Sequence, residues 1–326
     1  MIDPRHVYDA AMALPPPTMA GGASGYFSEP SDTLDPELFD GDHLKPGVRD
    51  ALLFTLGNHL SQQYVMSPSW AHVWLAGSGI SYQWNADRGN GDLDVLFSLD
   101  VTLFASANPQ LFHGWSEEDI AAEVNDELKA RLWPQTAHYT SGGKVFEVTF
   151  YWNPGTDGDI RRIHPYAAYD LVTDAWVVRP PKQPPRPGWN VQEAFANFAD
   201  QDAQQAGKLA SLYSSALIQM HRSKRFSPEW HEAGRELAGV TRVARGMFDE
   251  IHKGRHEAFM DQGTGYADWH NYRWQAGKQS GAVGALRSLA AIHDEAKRRE
   301  ETSLFGSPIE PADRAARQAA RWRSQR

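Results

Sequence analysis

Leu75-Ala76-Gly77-Ser78-Gly79, followed by Gly91-Asp92-Leu93-Asp94-Val95-Leu96-Phe97, is the stretch on which the reading of this chain turns. The apolar run from about Ala71 to Ala76 predicts a strand that ends on Gly77-Ser78. A polar connection from Ser81 to Gly91, with Asn85, Asp87, Gly89 and Asn90 as turn formers, leads to a second predicted strand over roughly Leu93 to Leu99. Alternate residues of a strand share a face, so Asp92 and Asp94 present two carboxylates side by side. Like charges at that spacing repel, and the pairing asks for a cation. Mg²⁺ (or Mn²⁺) takes hard oxygen ligands and keeps substrate phosphates among its partners, and a two-metal site stabilises both oxygens of a phosphoryl transfer. A glycine at position 77 lets backbone N–H groups approach phosphate, and the Ser78 hydroxyl adds a donor.

An Asp-x-Asp repeat alone is weak. Asp40-Gly41-Asp42 and Asp157-Gly158-Asp159 show the same spacing, but glycine and other turn residues surround them and no apolar strand follows, so they read as loops. Gly77-Ser78-Gly79 is neither a P-loop, lacking a following Gly-Lys-Ser/Thr, nor a dinucleotide fingerprint. His252 and His256 have ligand-like spacing on a helix, but Lys253 and Arg255 beside them would repel a metal, so they read as a solvated face.

Outward from this core, residues 1–45, with Pro15-Pro16-Pro17 and Gly21-Gly22, read as an extended lead-in. Pro46 suits a first helical turn, and Val48, Leu52, Leu53, Leu56 and Leu60 recur at helical spacing up to a stop before Pro68. Ser116 with Glu117, Glu118 and Asp119 predicts a capped helix start running to about Leu132. Lys144 to Trp152 reads as a strand, Asn153 to Asp159 as a turn, and Tyr166 to Val178 as a strand broken near Asp174. Pro180 to Pro187 is a proline-rich linker. Beyond Trp189 the pattern is helical: Gln192 to Met220, Pro228 to His256 and about Ala285 to Arg299, with an aromatic, glycine-rich loop at Gly263 to Gly284. The fold class is therefore α+β, a mixed sheet with helices packed on one side, then an α-helical domain. The expected division is an N-terminal segment 1–45, a catalytic domain 46–180, a linker 181–188, a helical domain 189–305 and a basic tail 306–326.

The 326 residues are 41% hydrophobic and 22% charged, the balance of a globular chain, and contain no cysteine, which excludes disulfides and thiolate zinc. No apolar stretch approaches a membrane span and the N-terminus lacks a secretory pattern, so the expected location is cytoplasmic. Net charge is −9 overall, but residues 1–100 carry −9, residues 101–200 carry −5 and residues 201–326 carry +5. The acidic first half argues against a protein that coats nucleic acid, while the last third leaves room for an RNA-facing surface.

The combination of a hydrophobic strand, Gly77-Ser78, a spacer and Asp92-Leu93-Asp94-Val95 resembles the DNA polymerase beta-like nucleotidyltransferase superfamily, and the helical second half is similar to the second domain of its template-independent members. The resemblance implies Asp92 and Asp94 as metal ligands, Gly77 and Ser78 as holders of an NTP, often ATP, and a third carboxylate on a later strand as base and second-metal ligand. Glu147, inside the β-rich run Val145 to Phe150, is the candidate, and Asp170 is its competitor. Gly91 departs from the serine this superfamily often has before the first aspartate. Lys208 and Tyr213 are candidates for triphosphate and base contacts, against the alternative of an exposed helix lysine and a core tyrosine. Arg273 and Lys278, within and just after Trp269-His270-Asn271-Tyr272-Arg273-Trp274, suit phosphate contact and stacking, or else that segment is a buried aromatic anchor. The implied reaction moves an NMP from an NTP to an acceptor hydroxyl. An RNA 3′ end, a small molecule or a protein side chain are the acceptors to weigh, with a non-catalytic nucleotide-binding or antitoxin-like protein as the other class.

Overall fold

In a computed structural model the described residues are 2–22, 25–84, 91–260 and 262–306. The turn formers at 85–90 and the basic tail from 307 lie outside them. The described residues form two compact units, one made of residues 25–185 with 259–266 and the other of residues 2–22, 186–258 and 267–306.

The first unit is α+β. Its six-stranded sheet has the order β5-β6-β4-β3-β7-β8, with β3 Ala71–Ala76, β4 Gly91–Leu99, β5 Tyr139–Ser141, β6 Lys144–Trp152, β7 Ala168–Asp170 and β8 Ala175–Val178. Every pair is antiparallel except β4 with β6, which makes the sheet mixed. The parallel pair requires a long crossover, and residues 101–136 supply it through the short helices α3 (Val101–Ala107), α4 (Pro109–Phe112), α5 (Glu117–Glu127) and α6 (Trp133–Thr136). Strand alternation sorts the side chains: Leu93, Val95, Phe97, Phe146 and Val148 point to a face covered by helix α2 (Pro46–Gln63) and helix α5 (Glu117–Glu127), giving one continuous core. In α5 the Ser116 side chain caps the Asp119 N–H, and acidic residues fill the first turn, as the helix dipole favours. Asn125 of α5 bonds both the N–H and the carbonyl of Trp152, fixing the helix to the end of β6.

Residues 1–45 are not an extended lead-in. Helix α1 spans Pro4–Ala13 with Asp3 as N-cap and Pro4 in the first turn, and it buries Val7, Ala10 and Ala11. A two-strand ladder, β1 Phe39–Asp40 with β2 His43–Leu44, follows. Leu34, Leu38 and Phe39 enter the core of the sheet unit, and Lys144 Nζ bonds Asp35, which is 1% exposed, at 2.7 Å. The break near Asp174 is a tight β7–β8 turn in which Asp174 takes φ +55°.

The second unit comprises described residues 2–22, 186–258 and 267–306 and is helical throughout. It contains α1, α7 (Trp189–Arg222), α8 (Pro228–Glu257), α9 (Trp269–Ser280) and α10 (Ala282–Phe305). Its core is built from Val7, Leu209, Trp230, Leu237, Leu286 and Leu289 among others. The expected loop from Gly263 to Gly284 is in fact mostly α9, capped by the Asp268 side chain on the His270 N–H and ended by Gly281 at φ +83°. Among the described residues no helix is long and apolar enough to cross a membrane.

Candidate functional site

The second face of the sheet carries the site. Trp74, Ala76, Ile160 and Ala168 cover part of it with a small apolar cluster. Asp92, Asp94 and Thr149 remain exposed beside it. Asp94 is the register partner of Ala76 on β3 and of Thr149 on β6, and Asp92 is the partner of Glu147. Paired strands lie about 4.8 Å apart, and residues two apart on one strand about 6.6 Å apart. Asp92, Asp94 and Glu147 thus stem from neighbouring register positions on one face, each on a strand whose alternate side chains are locked in the core. Asp92 and Asp94 flank Leu93, which is 1% exposed.

The backbone around the aspartates explains three glycines. Gly77 takes φ +91°, and a Cβ there would sit 3.0 Å from Asp94 Oδ2. A Cβ on Gly79 would sit 2.2 Å from the Asp92 carbonyl oxygen. At Gly91 a Cβ would lie 2.9 Å from the Phe146 ring, so the serine expected there has no room in this chain. The Gly-Ser turn packs directly on the two aspartates.

One expectation for this turn needs correction. The Gly77 N–H donates to the Ala167 carbonyl at 3.1 Å, so it is committed to the sheet and is not a phosphate donor. Ser78 is exposed and opens a 3₁₀ turn, Ser78–Ile80, which leaves its hydroxyl as the outward-facing group. The turn is held from behind by a network that sequence reasoning missed. Ser81, fully buried, donates to the Ser78 carbonyl at 2.7 Å and accepts from the Gln83 N–H at 3.2 Å. Tyr266 donates its hydroxyl to the Gln83 side chain and stacks on Tyr166 with ring centroids 4.1 Å apart. Burial pushes the Tyr166 phenol up to about 12, against the opposing effect of its hydrogen bond with Ser81. Tyr266 is remote in sequence, and no local pattern marks it.

Glu147 shares the face and the register of the pair, but its carboxylate is turned aside: Trp133 Nε1 donates to Glu147 Oε1 at 2.9 Å. Among the described residues no three His, Asp or Glu side chains are gathered closely enough to hold a metal ion together. The expected third ligand is therefore positioned but not assembled. Its competitor, Asp170, is engaged elsewhere, since its Oδ1 accepts from the Val172 and Thr173 N–H groups and caps the β7–β8 turn. Asp170 also aligns with Trp74 rather than with the Gly77 end of β3. Asp92 and Asp94 nonetheless offer two exposed carboxylates on one face of one strand, the oxygen donors a hard cation takes, and Gly77 leaves space beside Asp94.

The expected nucleotide contacts on the helical unit divide. Tyr213 is 1% exposed in that unit's core, with burial raising its phenol pKa, so its ring is packing and not a base platform. Arg273 is also structural: it forks onto Asp202 at 2.5 and 3.0 Å and reaches Glu250 at 2.6 Å. These bonds tie α9 to α7 and α8. Lys208 and Lys278 are exposed on α7 and α9. Trp274, Tyr272 and Asn271 are buried, which makes α9 the aromatic anchor.

Of the other two Asp-x-Asp repeats, Asp157 to Asp159 is a loop, whereas Asp40 ends β1 and Gly41-Asp42 make the turn into β2, a correction of the loop expected there. Asp157 is left-handed at φ 43°, Asp159 caps the Arg161 N–H, and Asp42 pairs with Arg179 at 2.8 Å. Comparison of the chain with family models, curated proteins and solved structures finds no match.

Proposed function

We propose that the chain is a Mg²⁺-dependent nucleotidyltransferase that moves a nucleoside monophosphate from an NTP to an acceptor hydroxyl and releases pyrophosphate. The observation that supports this most is the placement of Asp92 and Asp94 on an exposed sheet face against the Gly77-Ser78 turn, with Glu147 in register on the neighbouring parallel strand.

Asp92 and Asp94 would hold the divalent cation, which when bound supplies charge neutralisation for the phosphates. The residues of the chain do the remainder. Ser78 donates its hydroxyl to the leaving phosphates at the mouth of the turn, while the Ser81–Gln83–Tyr266 network keeps that turn from yielding. Glu147 exchanges the Trp133 indole for the acceptor hydroxyl and takes its proton. The acceptor oxygen then bonds to the α-phosphorus as the bond to the β-phosphate oxygen breaks, and pyrophosphate leaves with those electrons. Catalysis of this kind is mainly positioning and charge stabilisation. The acceptor we favour is an RNA 3′ end, because residues 201–326 carry a net +5.

A second reading, a non-catalytic nucleotide-binding protein of the same architecture, draws on one observation, the Trp133 bond that occupies Glu147. Incubation with each α-labelled NTP, Mg²⁺ and either total RNA or the protein alone separates the two. Label transferred to RNA by the wild type and not by Asp94→Asn supports the enzyme. An NTP-dependent thermal shift without transfer supports the second reading. No transfer and no shift would sink both.

A further inference from the structure

Trp133 stands beside the sheet site with its ring open to solvent. The helical path from Glu117 to Thr136 contains one π turn, Leu128–Leu132, after which the Trp133 N–H reaches back five residues to the Leu128 carbonyl. A π turn inserts a residue into a helix, and such turns recur at functional sites. Leu128 and Leu132 are buried in the core of the sheet unit. Thr136, three residues beyond Trp133, donates to the Val148 carbonyl at 2.8 Å and ties α6 to β6. Trp133 is thus fixed from both sides, yet it is 41% exposed. Its one polar side-chain atom is taken, since Nε1 donates to Glu147 Oε1 at 2.9 Å. The side chain therefore shows ring carbon to water, next to the Glu147 carboxylate. Charge does not make this spot attractive to a polyanion. Asp92, Asp94 and Glu147 leave the sheet face acidic, and the helical path leading to Trp133 carries more carboxylates than cations. Arg131 on that path is itself engaged, by Glu127 at 3.7 Å and by the Gln63 side chain at 3.0 Å. What Trp133 offers a ligand is a stacking surface.

Aromatic side chains bind nucleobases by stacking, because every base has a π face. We infer that Trp133 is the platform on which the terminal nucleobase of the acceptor strand stacks. The inference rests on the nucleotidyltransferase reading, in which Glu147 takes the proton of the acceptor hydroxyl. The nucleoside that bears this hydroxyl lies against Glu147, and Trp133 is an aromatic surface already in contact with that carboxylate. Stacking draws the indole towards the incoming base, the Nε1–H bond to Glu147 breaks, and the freed Oε1 accepts from the hydroxyl instead. Trp133 is in this sense a positioning residue. It makes release of Glu147 depend on an acceptor being in place.

The test follows the Trp133 indole N–H by NMR in the full chain with Mg²⁺ and a non-hydrolysable NTP, its signal assigned by its absence in Trp133→Phe. Two probes are titrated: a short oligoadenylate with a free 3′ hydroxyl, and the same strand ending in an abasic nucleotide that keeps the hydroxyl. The complete strand is expected to move the indole signal and the abasic strand to leave it in place. In transfer assays Trp133→Ala, its fold checked by circular dichroism, is expected to raise the acceptor KM by about tenfold or more and to leave the NTP KM unchanged. Trp133→Phe, which keeps a stacking ring, is expected to restore most of the acceptor KM. An equal indole response to both probes, no response to either, or an unchanged acceptor KM in Trp133→Ala overturns the inference. The NMR arm needs no turnover, so an indole response specific to the complete strand without any label transfer would support the platform while refuting the reaction.

Discussion

Asp92-Leu93-Asp94 and Asp157-Gly158-Asp159 have the same spacing and opposite fates. The first lies on β4, where Leu93 is anchored in the core and the flanking carboxylates turn to one exposed face against Gly77. The second lies between two 3₁₀ turns, where Asp157 is left-handed and bonds Arg162, and Asp159 caps the next turn. The strand sets both carboxylates on one exposed face, whereas the loop turns Asp157 to Arg162 and Asp159 to the Arg161 N–H. The same spacing therefore gives carboxylates a shared exposed face only when an apolar strand carries them.

The sharpest way to break this contrast is to remove one carboxylate from each repeat. Asp94→Asn is expected to lower nucleotidyl transfer by about a hundredfold or more, as loss of a metal ligand should. Asp157→Asn is expected to leave transfer within about twofold and stability within about 0.5 kcal/mol, as an exposed substitution does. Equal losses in the two variants would erase the distinction.

A large effect of another kind is expected at the start of β6. Lys144→Met leaves the Asp35 carboxylate buried without its cation, and chemical denaturation should register a loss of about 3–5 kcal/mol. A loss below about 1 kcal/mol would mean that the segment 25–45 is not tied to the sheet as described.

Gly77→Ala addresses the turn that distinguishes the strand repeat from the loop repeat. Its backbone at φ +91°, ψ −173° lies in a region essentially confined to glycine and costs an alanine about 1–3 kcal/mol, and the added methyl presses on Asp94. Transfer should fall by more than the stability loss accounts for; an active, merely destabilised Gly77→Ala would separate the turn from the site.

The smallest effect concerns Asp3, whose carboxyl is lowered to about 2, first by its hydrogen bond with Arg5. Because the folded value lies below the ordinary one, its contribution is present above about pH 4 and is lost as pH falls towards 2. Asp3→Ala should cost about 1 kcal/mol at neutral pH through the lost helix cap, and should flatten that acid-side dependence. An unchanged acid profile would show that the cap carries no pH-linked stability.

The strands of the site were legible because both signals are local: β3 ends at Ala76 as the Gly-Ser turn implies, and β4 alternates core and surface from Gly91 onward. That Glu147 stands beside Asp92 was not legible, since strand neighbours and register arise from the crossover through residues 101–136. Nor was its bond to Trp133. Helix α1 was obscured by the prolines and glycines that follow it, although Asp3-Pro4 and the spacing of Val7, Ala10 and Ala11 mark it. Helix α9 was missed because its buried positions, Asn271, Tyr272, Trp274 and Gly277, lack an aliphatic stripe. Its caps, Asp268 and Gly281, were in plain view. Tyr213 follows Leu209 by four residues and precedes Ala216 and Met220 at helical spacing, which is the pattern of a core side chain and not of a base platform.

The most direct test of the central claim is binding of Mn²⁺, read by its paramagnetic resonance signal, to the wild type, Asp92→Asn, Asp94→Asn and Asp157→Asn in the presence of a non-hydrolysable NTP. The account predicts nucleotide-dependent binding in the wild type and Asp157→Asn, and its loss in both strand variants. Binding that survives in Asp92→Asn and Asp94→Asn would contradict it.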